Sequence, residues 1–192
     1  MAAQPGRQWR MFLPVGLFIL LFLLWSVYWF VASSVARSMV ADQRAQFARQ
    51  GITLECTEEG WGGYPFRFEF SCSSPVVTLR DRASFRGSSL LVVALAYNPW
   101  QAVVMLDGPT TIAAAGLMPR EIAHGRLTAS ATMTWTSEMQ VSADIPRLDI
   151  PGLLTADRIM VHSRPSASGL IDVAASVTRF NYQPSGRPPL MI

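Results

Sequence analysis

Hydrophobic positions along the chain follow two periods, and the change of period divides it. From Phe12 to Ala36 no charged residue interrupts FLPVGLFILLFLLWSVYWFVASSVA. A bilayer core of about 30 Å needs roughly 20 apolar residues in a helix, so a transmembrane anchor is expected over residues 11–36. Trp25, Tyr28, Trp29 and Phe30 near its end suit a membrane interface. Ser34-Val35-Ala36 could serve as a signal-peptidase site, but the apolar run is longer than a signal peptide needs, and a retained anchor is expected. Ser33 to Gln50 lacks Pro and Gly, and Gly51 supplies a stop, so residues 37–50 read as a juxtamembrane helix. Val35, Met39 and Phe47 would form its weak apolar face, with Arg44 and Arg49 outside.

From Gly51 onward the period is two. Ile52, Leu54 and Cys56 alternate with polar residues, as do Phe66, Phe68, Phe70 and Cys72. Between them Glu58 to Pro65 reads as a turn, rich in Gly and closed by Pro65. Strands follow at Val76–Arg80, at the apolar Ser89–Tyr97, and, after an Asn98-Pro99 turn signal, at Gln101–Asp107. Asp107-Gly108-Pro109 turns again before Thr110–Ala115. Leu127, Ala129, Ala131, Met133 and Trp135 form one face of the next strand, and Thr136–Glu138 a turn. Met139, Val141, Ala143 and Ile145 continue the pattern, then Leu153–Ser163, then Leu170–Tyr182 with Ile171, Val173 and Val177 on one side. The expected fold is mainly β: the anchor and short helix, then a curved, mostly antiparallel meander of about nine or ten strands. The candidate apolar sheet face comprises Leu127, Met133, Trp135, Met139, Val141, Ile145, Ile171, Val173 and Val177. Residues 1–10 would be a cytoplasmic N-terminus, 51–183 the β-rich domain and 184–192 an irregular tail.

Charge changes the picture of partners. The chain carries +3, but residues 1–50 hold five Arg against Asp42, and residues 51–192 hold 11 Arg against 12 acidic residues. The basic surplus therefore flanks the anchor, where anionic headgroups would attract it. The β-rich part has no surplus for phosphates, which argues against nucleic acid. Positive charge on both flanks leaves orientation open.

Cys56 and Cys72 each lie eight residues from Tyr64 and on the apolar parity of their strands. In a hairpin symmetric about Tyr64 they would face each other and could bridge. A pair of free thiols is the alternative; a zinc site would need four ligands, and His124 and His162 are not at finger-type spacings. No nucleophile elbow, phosphate loop, dinucleotide fingerprint or zinc-protease helix occurs, so no enzyme and no cofactor are expected. His124 reads as a loop residue and His162 as a surface strand residue; Asp144, Asp149 and Asp157 read as solvated carboxylates without calcium-loop spacing. Trp61, Gly62, Gly63, Tyr64, Pro65 and Phe66 form either a hairpin turn packed on the domain or a recognition loop touching the interface.

The anchor ending Leu-Leu-Trp-Ser-Val-Tyr-Trp-Phe, the segment Gly62-Gly63-Tyr64-Pro65-Phe66-Arg67-Phe68 and the Asn98-Pro99 signal resemble a proteobacterial membrane-anchored family, domain of unknown function 2125. The likeness is carried mainly by residues 15–110, and extends to the AsmA-like group of envelope proteins. The resemblance implies an inner-membrane anchor and a periplasmic β-domain, in a family whose usual members are longer, so that the chain would be a short member or a fragment. Larger members of the group are implicated in moving or organising lipids. A non-enzymatic envelope role with membrane lipid on an apolar sheet face is therefore the expected function. The alternative is an accessory module docking on another envelope membrane protein. The cysteine pair and the resemblance together place the domain outside the cytoplasm.

Overall fold

In the computed structural model, residues 9–80, 82–116, 118–133, 139–166, 170–182 and 190–191 are described. A single helix, α1 (Trp9–Arg49), covers both the apolar run and the segment after it. Gly51 ends it at φ +80°, a left-handed conformation that glycine adopts without steric cost. The rest of the described chain is antiparallel β-structure in two sheets, with strands numbered in chain order. The smaller sheet runs β1 (Ile52–Glu55), β4 (Val76–Leu79), β5 (Ala83–Arg86), β8 (Thr110–Ala114), β9 (Arg120–Ile122). The larger begins β2 (Glu58–Gly62), β3 (Arg67–Ser73), β6 (Ser89–Leu95), β7 (Asn98–Asp107), β10 (Leu127–Met133). It continues β11 (Met139–Ile150), β12 (Leu154–Pro165), β14 (Asn181–Tyr182), β15 (Leu190–Met191), with β13 (Ile171–Thr178) also on β12.

This ten-stranded antiparallel sheet matches the strand number expected, but it is not a plain meander; the five-stranded sheet is what strand periodicity did not separate from it. The chain weaves between the two, passing at Cys56-Thr57, Ser74-Pro75, Gly87-Ser88, Gly108-Pro109 and Ala123–Arg126. Backbone hydrogen bonds continue through this boundary: Thr57 N–H to Ser73 O at 2.9 Å, Gly87 N–H to Pro75 O at 3.0 Å, Gly125 N–H to Pro146 O at 2.8 Å. The boundary is a crease in a hydrogen-bonded surface. Ser74 (φ 47°) and Arg147 (φ 51°) take left-handed conformations on it, as residues that bend a strand do. The apolar parity slips there. Phe70 and Cys72 are followed by Val77 and Leu79, Ala83 and Phe85 by Leu90 and Val92, Ala143 and Ile145 by Leu148 and Ile150. The slip keeps an apolar face on each side of the bend.

Several local expectations need correction. Glu58–Gly62 is strand β2, and the turn spans only residues 63–66. Trp61 pairs with Phe70 across the ladder at 5.0 Å between rings, which holds the glycine-rich segment in the sheet. The next turn is Ala96-Tyr97, not Asn98-Pro99, since Leu95 pairs with Asn98. Leu170–Tyr182 is two strands, broken at Arg179 (φ 49°), and Leu190–Met191 pairs with β14, so that part of the tail is strand. Cys56 and Cys72 are bridged, with Cα atoms 5.4 Å apart, but not as a hairpin rung: Glu59 opposes Cys72, and Cys56 lies at the crease between β1 and β2. The disulfide thus ties the crease to β3. Arg44 faces inward, its guanidinium 5.0 Å from the Phe70 ring and paired with Glu59 at 2.7 Å, whereas Val35, Met39 and Phe47 are exposed. The turn expected at Thr136–Glu138, the N-terminal eight residues and most of the tail lie outside the described residues.

Candidate functional site

The helix meets the sheet through its aromatic end. Trp25 Nε1–H donates to Pro65 O at 2.9 Å, Tyr28 Oη–H to Ala96 O at 2.8 Å and Trp29 Nε1–H to Arg67 O at 3.0 Å. Trp29 is buried, stacked on Phe68 at 5.8 Å and edge-on to Tyr64 at 5.3 Å. Ser26 and Tyr64 hydroxyls bond at 2.8 Å. Gly63 takes a positive φ where a Cβ would collide with the Arg67 carbonyl, and Arg67 N–H closes the turn on Gly63 O at 3.0 Å. The aromatics read as a membrane-interface belt therefore also hold the β-domain against α1.

Opposed residues in a ladder share a face, so the register gives the composition of each side of the larger sheet. One row runs Trp61, Phe70, Val92, Val104, Ala129, Ala143, Val161, Ala175 without a polar residue. Nearer the crease, Cys72, Leu90, Leu106 and Leu127 form a second row, which Ile145, Ile159 and Val177 continue. Away from it, Phe68, Ala94, Ala102, Ala131 and Val141 form a third, interrupted by Ser163 before Val173. Helix α1 covers this face only over β2 and β3, where Trp29 meets Phe68, Arg37 lies 5.7 Å from Trp61 and Arg44 lies over Phe70. Trp29 and Phe70 are the two large side chains buried among the described residues. From β10 outward the face is open: Leu127, Val141 and Ile145 are half-buried, and Met133, Met139, Ile171, Val173 and Val177 are between 46% and 71% exposed.

The opposite face is polar over the same strands. Ser130 and Ser142 hydroxyls bond at 2.7 Å, next to His162, and with Gln140, Arg164 and Asp172 they line a depression of about 650 Å3. Toward the crease, Arg126 bonds Asp107 at 2.7 Å and Arg158 bonds Asp144 through both carboxylate oxygens at 2.8 and 2.7 Å. The Arg126 guanidinium, with Ser89 adding a second hydrogen bond, holds the Asp107 carboxyl below its ordinary value; Arg158 does the same to Asp144. Asp144 and Asp157 are thus ion-paired, Asp157 with Arg179 at 3.0 Å, rather than simply solvated, and Asp149 forms a backbone bridge with Ala123. His124 sits at the crease with Nε2 2.8 Å from the Thr110 hydroxyl, and His162 is exposed on the polar face. No group of three or more His, Cys, Asp or Glu residues placed to hold a metal occurs among the described residues.

Leu127, Met133, Met139, Val141, Ile145, Ile171, Val173 and Val177 all fall on the apolar face; Trp135 lies outside the described residues. Of the turn segment, Trp61 and Gly62 are on β2, Tyr64 packs on Trp29 and Phe30, and Phe66 is exposed. Sequence reading missed the extent of the face through β6, β7 and β12. β6 is apolar on both sides, Leu91 and Val93 opposing Leu90 and Val92, so its parity carries no signal; β7 and β12 carry Val104 and Leu106, and Ile159 and Val161, in register with it.

No curated protein and no solved structure matches the chain. A family model described as "Uncharacterized protein conserved in bacteria (DUF2125)" matches residues 29–190. The match starts at Trp29, where the helix meets the sheet, and takes in the later strands as well as the turn segment that carried the resemblance. With the match spanning most of its length, the chain belongs to the DUF2125 family of uncharacterised bacterial proteins.

Proposed function

We propose that this protein is a non-enzymatic, single-pass envelope protein whose β-domain, held at the periplasmic side of a bacterial inner membrane, takes a lipid acyl chain on the apolar face of its larger sheet. One observation carries the reading: the row from Trp61 to Ala175 is apolar on eight successive strands, yet α1 covers only the first two. Burying apolar area stabilises at about 25 cal/mol per Å2, so an open face of this extent favours an apolar partner over water. Helix α1 is long and apolar enough to cross a membrane, and a span there would keep the face beside the bilayer. The bridged Cys56 and Cys72 support an oxidising compartment. The likeness of the Gly62–Phe68 segment to AsmA-like proteins supports lipid as the partner.

The test is lipid analysis of full-length protein purified in mild detergent, beside Ala143→Glu on the apolar face and Ser142→Glu on the polar one. Native protein and Ser142→Glu retain lipid, and Ala143→Glu loses most of it. Equal lipid in all three would assign that lipid to the helix and remove the face from the function.

A second reading rests on β13, whose described residues are all exposed on an edge of the sheet. An exposed edge strand can pair with a strand of another chain. On this reading the domain is an accessory module docking on another envelope membrane protein. Site-specific crosslinking from Ile171 and Val173 in cells distinguishes the two: a protein adduct favours docking, a lipid adduct the first reading.

A further inference from the structure

The apolar face is not the only surface that points to lipid; the end of the sheet beside the helix does so on separate evidence. Phe12 to Trp29 spans about 26 Å at 1.5 Å per residue, so Tyr28 and Trp29 stand near the limit of the hydrocarbon layer that the helix would cross, with Trp25 one turn inside it. Their three hydrogen bonds to Pro65, Ala96 and Arg67 carbonyls fix two hairpin turns at that level. The turns are tied to each other, Ala96 N–H donating to Phe66 O at 2.8 Å. At these tips Phe66 is 63% exposed, Tyr97 67% and Trp100 54%. At the other end of the same strands, Asp107 pairs with Arg126 and bonds the Ser89 hydroxyl. The exposed aromatics are at the turn end of these strands, which is level with the end of the span.

We propose that the turns at 63–66 and 96–97, with Trp100, are seated in the interfacial layer of the bilayer leaflet where α1 emerges. Trp and Tyr favour that layer because their rings are amphipathic. Exposed aromatics there gain contact with the acyl-chain boundary. The pair formed by Arg67 and Glu69 stands just above the turns, at headgroup depth. Seating would add a second point of contact to the helix and so fix the rotation of the domain about it. The proposal stands whether or not the open sheet face binds lipid.

The experiment uses full-length protein in nanodiscs of phosphatidylethanolamine and phosphatidylglycerol, with the native disulfide left oxidised. An environment-sensitive fluorophore is attached at Tyr97→Cys, at Phe66→Cys, at Leu21→Cys within the span and at Thr53→Cys on the smaller sheet. Labels at 97 and 66 should emit to the blue of that at 53. They should be quenched more by lipids carrying nitroxide near the headgroup than by those carrying it deep in the chain. Deep nitroxide should quench the label at 21, and neither lipid the label at 53. Labels at 97 and 66 that match 53 overturn the seating. So does a blue shift without nitroxide quenching, which would mean burial against protein. A label at 21 that escapes deep nitroxide overturns the seating together with the membrane span on which it rests.

Discussion

Trp29 does more than any other residue of the described chain to join helix and sheet. It is buried, stacks on Phe68, meets Tyr64 edge-on and donates to Arg67 O. Trp29→Phe keeps most of the packing but leaves that carbonyl without its donor, at a cost of about 1–3 kcal/mol. Trp29→Ala adds a cavity and should cost about 3–5 kcal/mol, read as a lower thermal midpoint in detergent. At the crease, Asp107 and Asp144 carry the pH dependence. Arginine hydrogen bonds hold both carboxyls below the ordinary 3.8 in the folded state, so the unfolded chain binds more protons at low pH. Their contribution is complete above that value and is lost as pH falls through the lowered folded values. Acid titration of the thermal midpoint should show this loss below about pH 4, reduced in Asp107→Asn. Both carboxylates are half-exposed and their arginine partners more so, so solvent screens the pairs and the difference is small. A midpoint that falls equally in the variant would remove Asp107 from the dependence.

At the scale of elements, the disulfide and the crease decide what holds. Bridging Cys56 to Cys72 closes a separation of 16 residues, worth about 3 kcal/mol of unfolded-state restraint. Native protein should resist alkylation until reduced, and Cys56→Ser with Cys72→Ser should lower stability by about that amount. Labelling of unreduced thiols in folded protein would contradict the bridge. Alternation along the chain identified most strands because each keeps one apolar side, as Ile52 and Leu54 do in β1 and Met139 to Ile145 in β11. It could not separate two sheets, since the turn residues at Ser74-Pro75, Gly87 and Gly108-Pro109 mark a break in a strand and not which sheet the next strand joins, and left-handed Arg147 carries no signal of its own. Strand β2 was hidden by Gly60 and Gly62; a Cβ at Gly60 would collide with the Ser71 hydroxyl across the ladder, whereas Gly62 has open space. The inward Arg44 was illegible because the ring that receives it, Phe70, is distant in sequence. The apolar positions of β10, β11 and β13 were legible; that they extend the row begun by Trp61 and Phe70 needed the register.

For the whole molecule, one helix and two sheets that meet at a crease give the larger sheet two unlike faces. The apolar face is roofed by α1 at β2 and β3 and open from β10 to β13, while the reverse carries the Ser130–Ser142 pair and the arginine–aspartate pairs. Adjacent residues in a strand point to opposite faces, so Ala143 and Ser142 probe the two sides at one position of β11. The most direct test of lipid binding is photo-crosslinking in native membranes from a benzophenone amino acid at each. A lipid adduct from position 143, absent from position 142, is the expected result. An adduct from neither, from both equally, or to protein alone at 143 would contradict a lipid-binding face.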